Sequence, residues 1–129
     1  MDIKSTLKSK PCFKAYSSAN NETIIQLEEK LSLKFAQEYV EYLKSFGFVT
    51  YEGHELTGIC KVKRLNVVDV TKEEKESNDN VPNDWYVIEQ LNIDDIVIWQ
   101  SSSGEIYQTA PAREPVKLCD SLTEYIERY

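Results

Sequence analysis

LEEKLSLKFAQEYVEYLKSFG, Leu27 to Gly47, holds two amphipathic patterns back to back and stops on a glycine. The first pattern begins upstream, where Asn20 or Asn21 is a good N-cap for a helix whose inner face is Ile24, Leu27, Glu28 and Leu31. Glu28 is the one polar residue on that face. LSLK interrupts the period, which resumes with Phe35, Tyr39, Tyr42, Leu43 and Phe46, at i, i+4, i+7, i+8 and i+11. Gly47 stands where a positive-φ C-cap belongs. A short helix from Asp2 to Ser9, stopped near Pro11, precedes the pair.

Downstream the period changes. FVTY, the turn-like EGHE and LTGIC predict a hairpin or a strand with an irregular return. NVVDV reads as a short apolar run ending at Thr71, with TKEE as the capping box of a short polar helix. SNDNVPND is a loop. WYVIEQL, DIVIWQ and EIYQTA are three strand candidates, the last two joined by SSSG as a two- or four-residue connection. Ile96 and Ile98 alternate with Val97 and Trp99, so this strand is apolar on both faces, as in a central strand or one covered twice. PAREPVKL is a stiff connection with room for a short edge strand. Ser121 and Glu124 form a capping box for a last helix with Leu122, Tyr125, Ile126 and Tyr129 on one face. Helices, then neighbouring strands, then one helix predict a single α+β domain over residues 1–129, with a mainly antiparallel sheet and its helices on one face.

The net charge of -7 argues against binding a phosphate backbone, which calls for a basic stripe. The charge is uneven: Lys4, Lys8, Lys10 and Lys14 against Asp2 make the first sixteen residues basic and the rest strongly acidic. No apolar window has the length of a signal core or a membrane span. Cys12, Cys60 and Cys119 are odd in number, widely separated and in no CxxC pair, which predicts incidental reduced thiols in a cytoplasmic protein.

A search for chemistry comes back empty. His54, the only histidine, reads as an exposed turn residue, and no nucleophile-elbow pattern accompanies it. One histidine and scattered cysteines make no zinc site, and the glycines at 47, 53, 58 and 104 form no phosphate cradle. The pairs Glu28–Glu29 and Glu73–Glu74 point apart on their helices, and Asp94–Asp95 falls in a turn, where aspartate is favoured for turn chemistry alone. Catalytic residues, metal and cofactor are therefore all expected to be absent. The aromatic residues offer more. Trp85, Trp99 and Tyr107, with Asp84, Asp94, Asp95 and Glu105 near them in sequence, have the make-up of a patch for a basic protein partner. Both tryptophans are equally readable as core.

The order of these elements resembles the SUKH superfamily, the Smi/Knr-type domain. The resemblance is carried by Leu27-Glu28 and Leu31 closing one helix, then Tyr39, Tyr42-Leu43 and Gly47 in the next, and by the WYVIEQL, SSSGEIYQ and DSLTEYIERY segments; it runs from about Asn20 to the end. The chain departs from the family pattern at Lys34-Phe35-Ala36, usually Leu-Pro, and at Phe46-Gly47-Phe48, often Asn-Gly. The resemblance implies a binding domain without shared catalytic residues. It implies in particular an immunity protein that neutralises a cognate toxin, often a nuclease; the charge, independently of the family, suggests that the acidic body would occlude a basic nuclease surface. A regulatory or scaffold domain in signalling or cell-wall control is the alternative. A small-molecule binder or enzyme near His54 is a third.

Overall fold

The computed structural model describes residues 2–129. The first helix, α1 (Ile3–Lys8), starts at Asp2, whose carboxylate accepts the Ser5 N–H at 2.8 Å. After the two-residue strand β1 (Lys14–Ala15) come the two helices of the opening stretch, α2 (Asn21–Leu31) and α3 (Gln37–Phe46). Asn20 caps α2 by accepting from Thr23 N–H, and Ser32 ends it in the left-handed conformation. Buried Glu28 explains the lone acid on the apolar face: its carboxylate accepts the Phe35 N–H at 2.9 Å, tying the end of α2 to the entry of α3. Phe35 itself lies before α3, not in it. Gly47 has φ +73°, and a Cβ there would fall 1.6 Å from the Ser17 carbonyl oxygen, so no other residue fits.

The strands β2 (Val49–Tyr51) and β3 (His54–Glu55) join β1 in a small antiparallel sheet of order β1-β2-β3. A 3-10 turn over Lys63–Leu65 leads to α4 (Val67–Ser77). Here the structure corrects the expected start of the helix: NVVDV is not a separate apolar run before it but its first turns. Asn66 is the N-cap, its side chain accepting from Val68 and Asp69 N–H, and the whole stretch is one helix. Its buried residues, Val67, Val68, Val70 and Thr71, fall at i, i+1, i+3 and i+4, which is a helical face.

The main sheet is an antiparallel meander of β4 (Tyr86–Gln90), β5 (Val97–Gln100), β6 (Ile106–Thr109) and β7 (Val116–Cys119), in that order. The last helix, α5 (Leu122–Arg128), follows at once, with Ser121 Oγ accepting from Glu124 N–H. The SSSG connection is neither of the expected lengths. Ser101 N–H donates to the Glu105 carbonyl at 3.0 Å, Gly104 N–H closes a turn on Ser101, and Gly104 takes φ +101°, so three residues make the loop. That register puts Val87, Trp99 and Tyr107 side by side on one face and Tyr86, Gln100 and Ile106 on the other.

Both faces are covered, by different layers. Tyr86, Ile98 and Ile106 belong to the main core with Tyr39, Tyr42, Leu43 and residues of α1 and α5. Val87, Val97 and Trp99 form a second core with Val70 of α4, Val81 and Trp85, and Tyr107 packs against it. The expectation of helices on one face alone therefore fails at α4. β5 is apolar on both sides because it carries residues of both cores.

Candidate functional site

The seven residues expected at a partner surface divide into two groups at opposite ends of the main sheet. Tyr86 pairs with Gln100 at one end of the β4–β5 ladder and Gln90 with Val97 at the other. Asp84, Trp85, Trp99, Glu105 and Tyr107 gather at the first end, Asp94 and Asp95 at the second.

In the first group the tryptophans are not surface anchors. Trp99 is completely buried, with Nε1–H donating to Thr109 Oγ1 at 2.8 Å, and Trp85 is 6% exposed. Their indoles fill the space between the sheet and α4, and this is the correction to their expected role. Trp85 stacks on Tyr107 with ring centroids 4.2 Å apart. The acids are engaged as well. Asp84 Oδ2 accepts the Ser102 N–H at 3.1 Å, fastening the SSSG loop to the chain before β4. Glu105 accepts from Tyr107 Oη at 2.9 Å and from Lys117 Nζ at 3.0 Å, and Lys117 pairs in turn with Asp120. The Lys117 hydrogen bond holds the Glu105 carboxyl below its usual range, Tyr107 adding to it.

His54 is likewise not the exposed turn residue expected. It sits in β3, stacked on Tyr51, with Nδ1 at 2.8 Å from the buried Glu89 carboxylate, whose other oxygen accepts from Tyr125 Oη at 2.6 Å. Burial pushes the Tyr125 hydroxyl far up, the nearby carboxylate adding to it. The cluster ties the small sheet to β4 and α5, and its acid and base are already spent on each other.

The second group differs. Asp94 and Asp95 are exposed at the tip of the β4–β5 turn and make no side-chain hydrogen bond or ion pair among the described residues. Two hollows of about 360 and 370 Å³ border them, and a third of about 440 Å³ continues from these past Pro111. One wall is the C-terminal end of α4 and the loop after it, with Glu74, Ser77, Asn78 and Asp79; the other is the β6–β7 connection, with Pro111, Arg113 and Glu114. Five carboxylates face one guanidinium there. Sequence reasoning missed both walls, because SNDNVPND and PAREPVKL show only turn chemistry and nothing local brings them beside Asp94.

No histidine or cysteine is among the described residues that line these hollows. Among the described residues there is no cluster of histidine, cysteine and carboxylates able to hold a metal ion, and no helix is long and apolar enough to cross a membrane. His54 lines none of these three hollows.

Family comparison agrees with this architecture of helix pair, meander and closing helix. The model of the family described as SUKH_5, SMI1-KNR4 cell-wall, matches residues 3–129. The chain belongs to the SUKH superfamily. Within this SUKH domain the matched span takes in α1 as well, beyond the stretch from Asn20 that carries the resemblance in sequence. No curated protein matches the chain.

Proposed function

We propose that this SUKH domain is a non-catalytic binding module of the immunity type, which neutralises a cognate toxin domain by occupying its basic surface. The observation that carries the reading is the acidic hollow: Asp94 and Asp95 stand unpaired at its rim, whereas the other acids expected at the site are satisfied within the fold. Unpaired carboxylates around a concave surface favour a cationic partner and speed its encounter. The interior carboxylates Glu28, Glu38 and Glu89 are engaged within the fold, which fits a scaffold better than an enzyme. The net charge of -7 speaks for a basic protein rather than nucleic acid as the partner.

The test uses the toxin-like domain encoded beside this protein's gene. The two purified proteins should form a stoichiometric complex, and co-expression should restore growth. The double variant Asp94→Lys, Asp95→Lys should slow association roughly tenfold at low salt. Absence of a complex would defeat the toxin reading, and a complex with unchanged, salt-insensitive association would defeat the electrostatic part. A second reading, a regulatory domain in cell-wall control, is favoured by the cell-wall description of the matching family; a gene neighbourhood with wall enzymes and no toxin would select it.

A further inference from the structure

The small sheet has an outer face that none of the closed clusters uses. In β2, Val49 and Tyr51 point into the main core, so Phe48 and Thr50 point out. Lys14 lies opposite Thr50 and Ala15 opposite Val49, which carries the next residue, Tyr16, over Phe48. The two rings stack 4.1 Å apart at an interplanar angle of 2°, and Tyr16 Oη lies 3.3 Å from Thr50 Oγ1. Tyr16 is nevertheless 49% exposed, because the other side of its ring is open.

The charges around this stack are mostly positive, with the exposed Glu52 of the β2–β3 turn a carboxylate nearby that has no ion pair among the described residues. β3 puts a single carboxylate on the face, Glu55 opposite Thr50, and both its oxygens are taken by Arg64 at 2.7 and 3.1 Å. Ile59 N–H donates to the Gly47 carbonyl, which brings the following segment alongside Phe48. That segment turns at Cys60, whose sulfur accepts the Val62 N–H, and presents Lys61, the half-exposed Val62 and Lys63. Lys14, Lys61 and Lys63 make no ion pair among the described residues. An open aromatic ring and Lys14 thus lie on the outer face of the small sheet, and the segment that passes Phe48 adds an exposed valine and two further lysines without an ion pair among the described residues, in a protein whose net charge is -7.

We propose that this face is a second docking surface, for an acidic extended segment of a protein partner. Its carboxylates pair with Lys14, Lys61 and Lys63, while an apolar side chain lies on the free side of Tyr16. Tyrosine with a fixed ring is a low-entropy anchor, and the surrounding lysines supply on-rate and register. A polyphosphate is a poorer occupant, because three lysines release few counterions and the acidic body repels a long polyanion. A second copy of this chain is also disfavoured. Its basic face could reach another copy's acidic hollow only in a head-to-tail contact, which builds open chains unless its rotation closes a ring.

The probe is a fluorescein-labelled peptide of about ten residues, aspartate and glutamate around one central phenylalanine, followed by anisotropy at low salt on the full chain. The peptide should bind. The triple variant Lys14→Glu, Lys61→Glu, Lys63→Glu should weaken it roughly tenfold or more, and Tyr16→Ala several-fold. Asp94→Lys, Asp95→Lys should not weaken it, which separates this surface from the acidic hollow. The three lysines and Tyr16 are at the surface, and unchanged circular dichroism checks that the variants fold. No binding, equal binding by the triple variant, tighter binding of an oligothymidylate of the same length, or concentration-dependent self-association abolished by the triple variant would each overturn the proposal.

Discussion

The interior of this domain and its acidic rim are built from the same residue types and use them in opposite ways. Inside, the polar groups find partners, the buried hydroxyls of Thr6 and Tyr51 excepted. Tyr86 Oη accepts the Ala36 N–H and donates to Gln100 Oε1; the Gln100 amide donates to Glu38 and to the Gly104 carbonyl. Glu38 in turn accepts the Leu122 and Thr123 N–H groups and the Thr123 hydroxyl, holding the start of α5. Acids and aromatics here serve the fold, since a buried polar group left unpaired costs about 1–3 kcal/mol. At the rim, Asp94 and Asp95 have no such employment. Proximity of acid and aromatic in sequence therefore says little about function; an acid that the fold leaves unmatched says more.

The interior half of the comparison breaks first at high pH. Burial pushes the hydroxyls of Tyr39, Tyr42, Tyr51, Tyr86 and Tyr125 well above the ordinary value of 10.0. An acid whose folded value is raised gives stability that is complete below the unfolded value and is lost as pH climbs through it. Above about pH 10 each such tyrosine should remove about 1.4 kcal/mol per pH unit, and five together about 7. That is comparable with the whole stability of a small domain. Unfolding is expected within one to two units above about pH 10, with tyrosinate absorbance and loss of circular dichroism rising together. Complete tyrosinate formation in a chain that keeps its dichroism would show that these hydroxyls reach solvent.

Trp99→Ala is the next largest effect. Removing a fully buried indole that donates to Thr109 should cost about 3–5 kcal/mol in urea unfolding. A loss below about 1 kcal/mol together with weaker partner binding would return Trp99 to an interface role.

How far these differences were readable before the structure depends on the range of the interaction. The α2–α3 pair was legible because helical spacing and caps are local: Asn20 and Gly47 stand where the expected boundaries put them. The closing helix was legible from Ser121 and Glu124 for the same reason. α4 was partly misread because the TKEE capping box drew its start to Thr71 and left the three valines before it as a separate apolar run, although Asn66 was an available cap signal. The fate of Trp85, Trp99 and Glu105 was not legible. Whether an aromatic strand residue is buried depends on register and on what covers the second face, and both are long-range: the three-residue SSSG loop sets one and α4 the other. His54 was misread likewise, since its partner Glu89 lies 35 residues away.

The smallest effect is the one that best separates fold from recognition at the rim. Asp94 and Asp95 have φ +53° and +54°, and Ile96 N–H donates to the Ile93 carbonyl at 3.1 Å, the pattern of a mirror-image hairpin turn. Such turns favour Asn-Gly, because asparagine tolerates the left-handed region and glycine has no Cβ to strain there. Two adjacent aspartates, with Glu74 lining the same hollow as Asp95, add like-charge repulsion to an imperfect turn. The double replacement Asp94→Asn, Asp95→Gly should therefore stabilise the isolated domain, by about 0.5–1 kcal/mol in urea unfolding. The same variant should bind the basic partner more weakly. Gained stability with lost binding would mean that the carboxylates stand at the rim for recognition at the expense of the turn. Lost stability would mean that they serve the turn, and the contrast between a matched interior and an unmatched rim would fall.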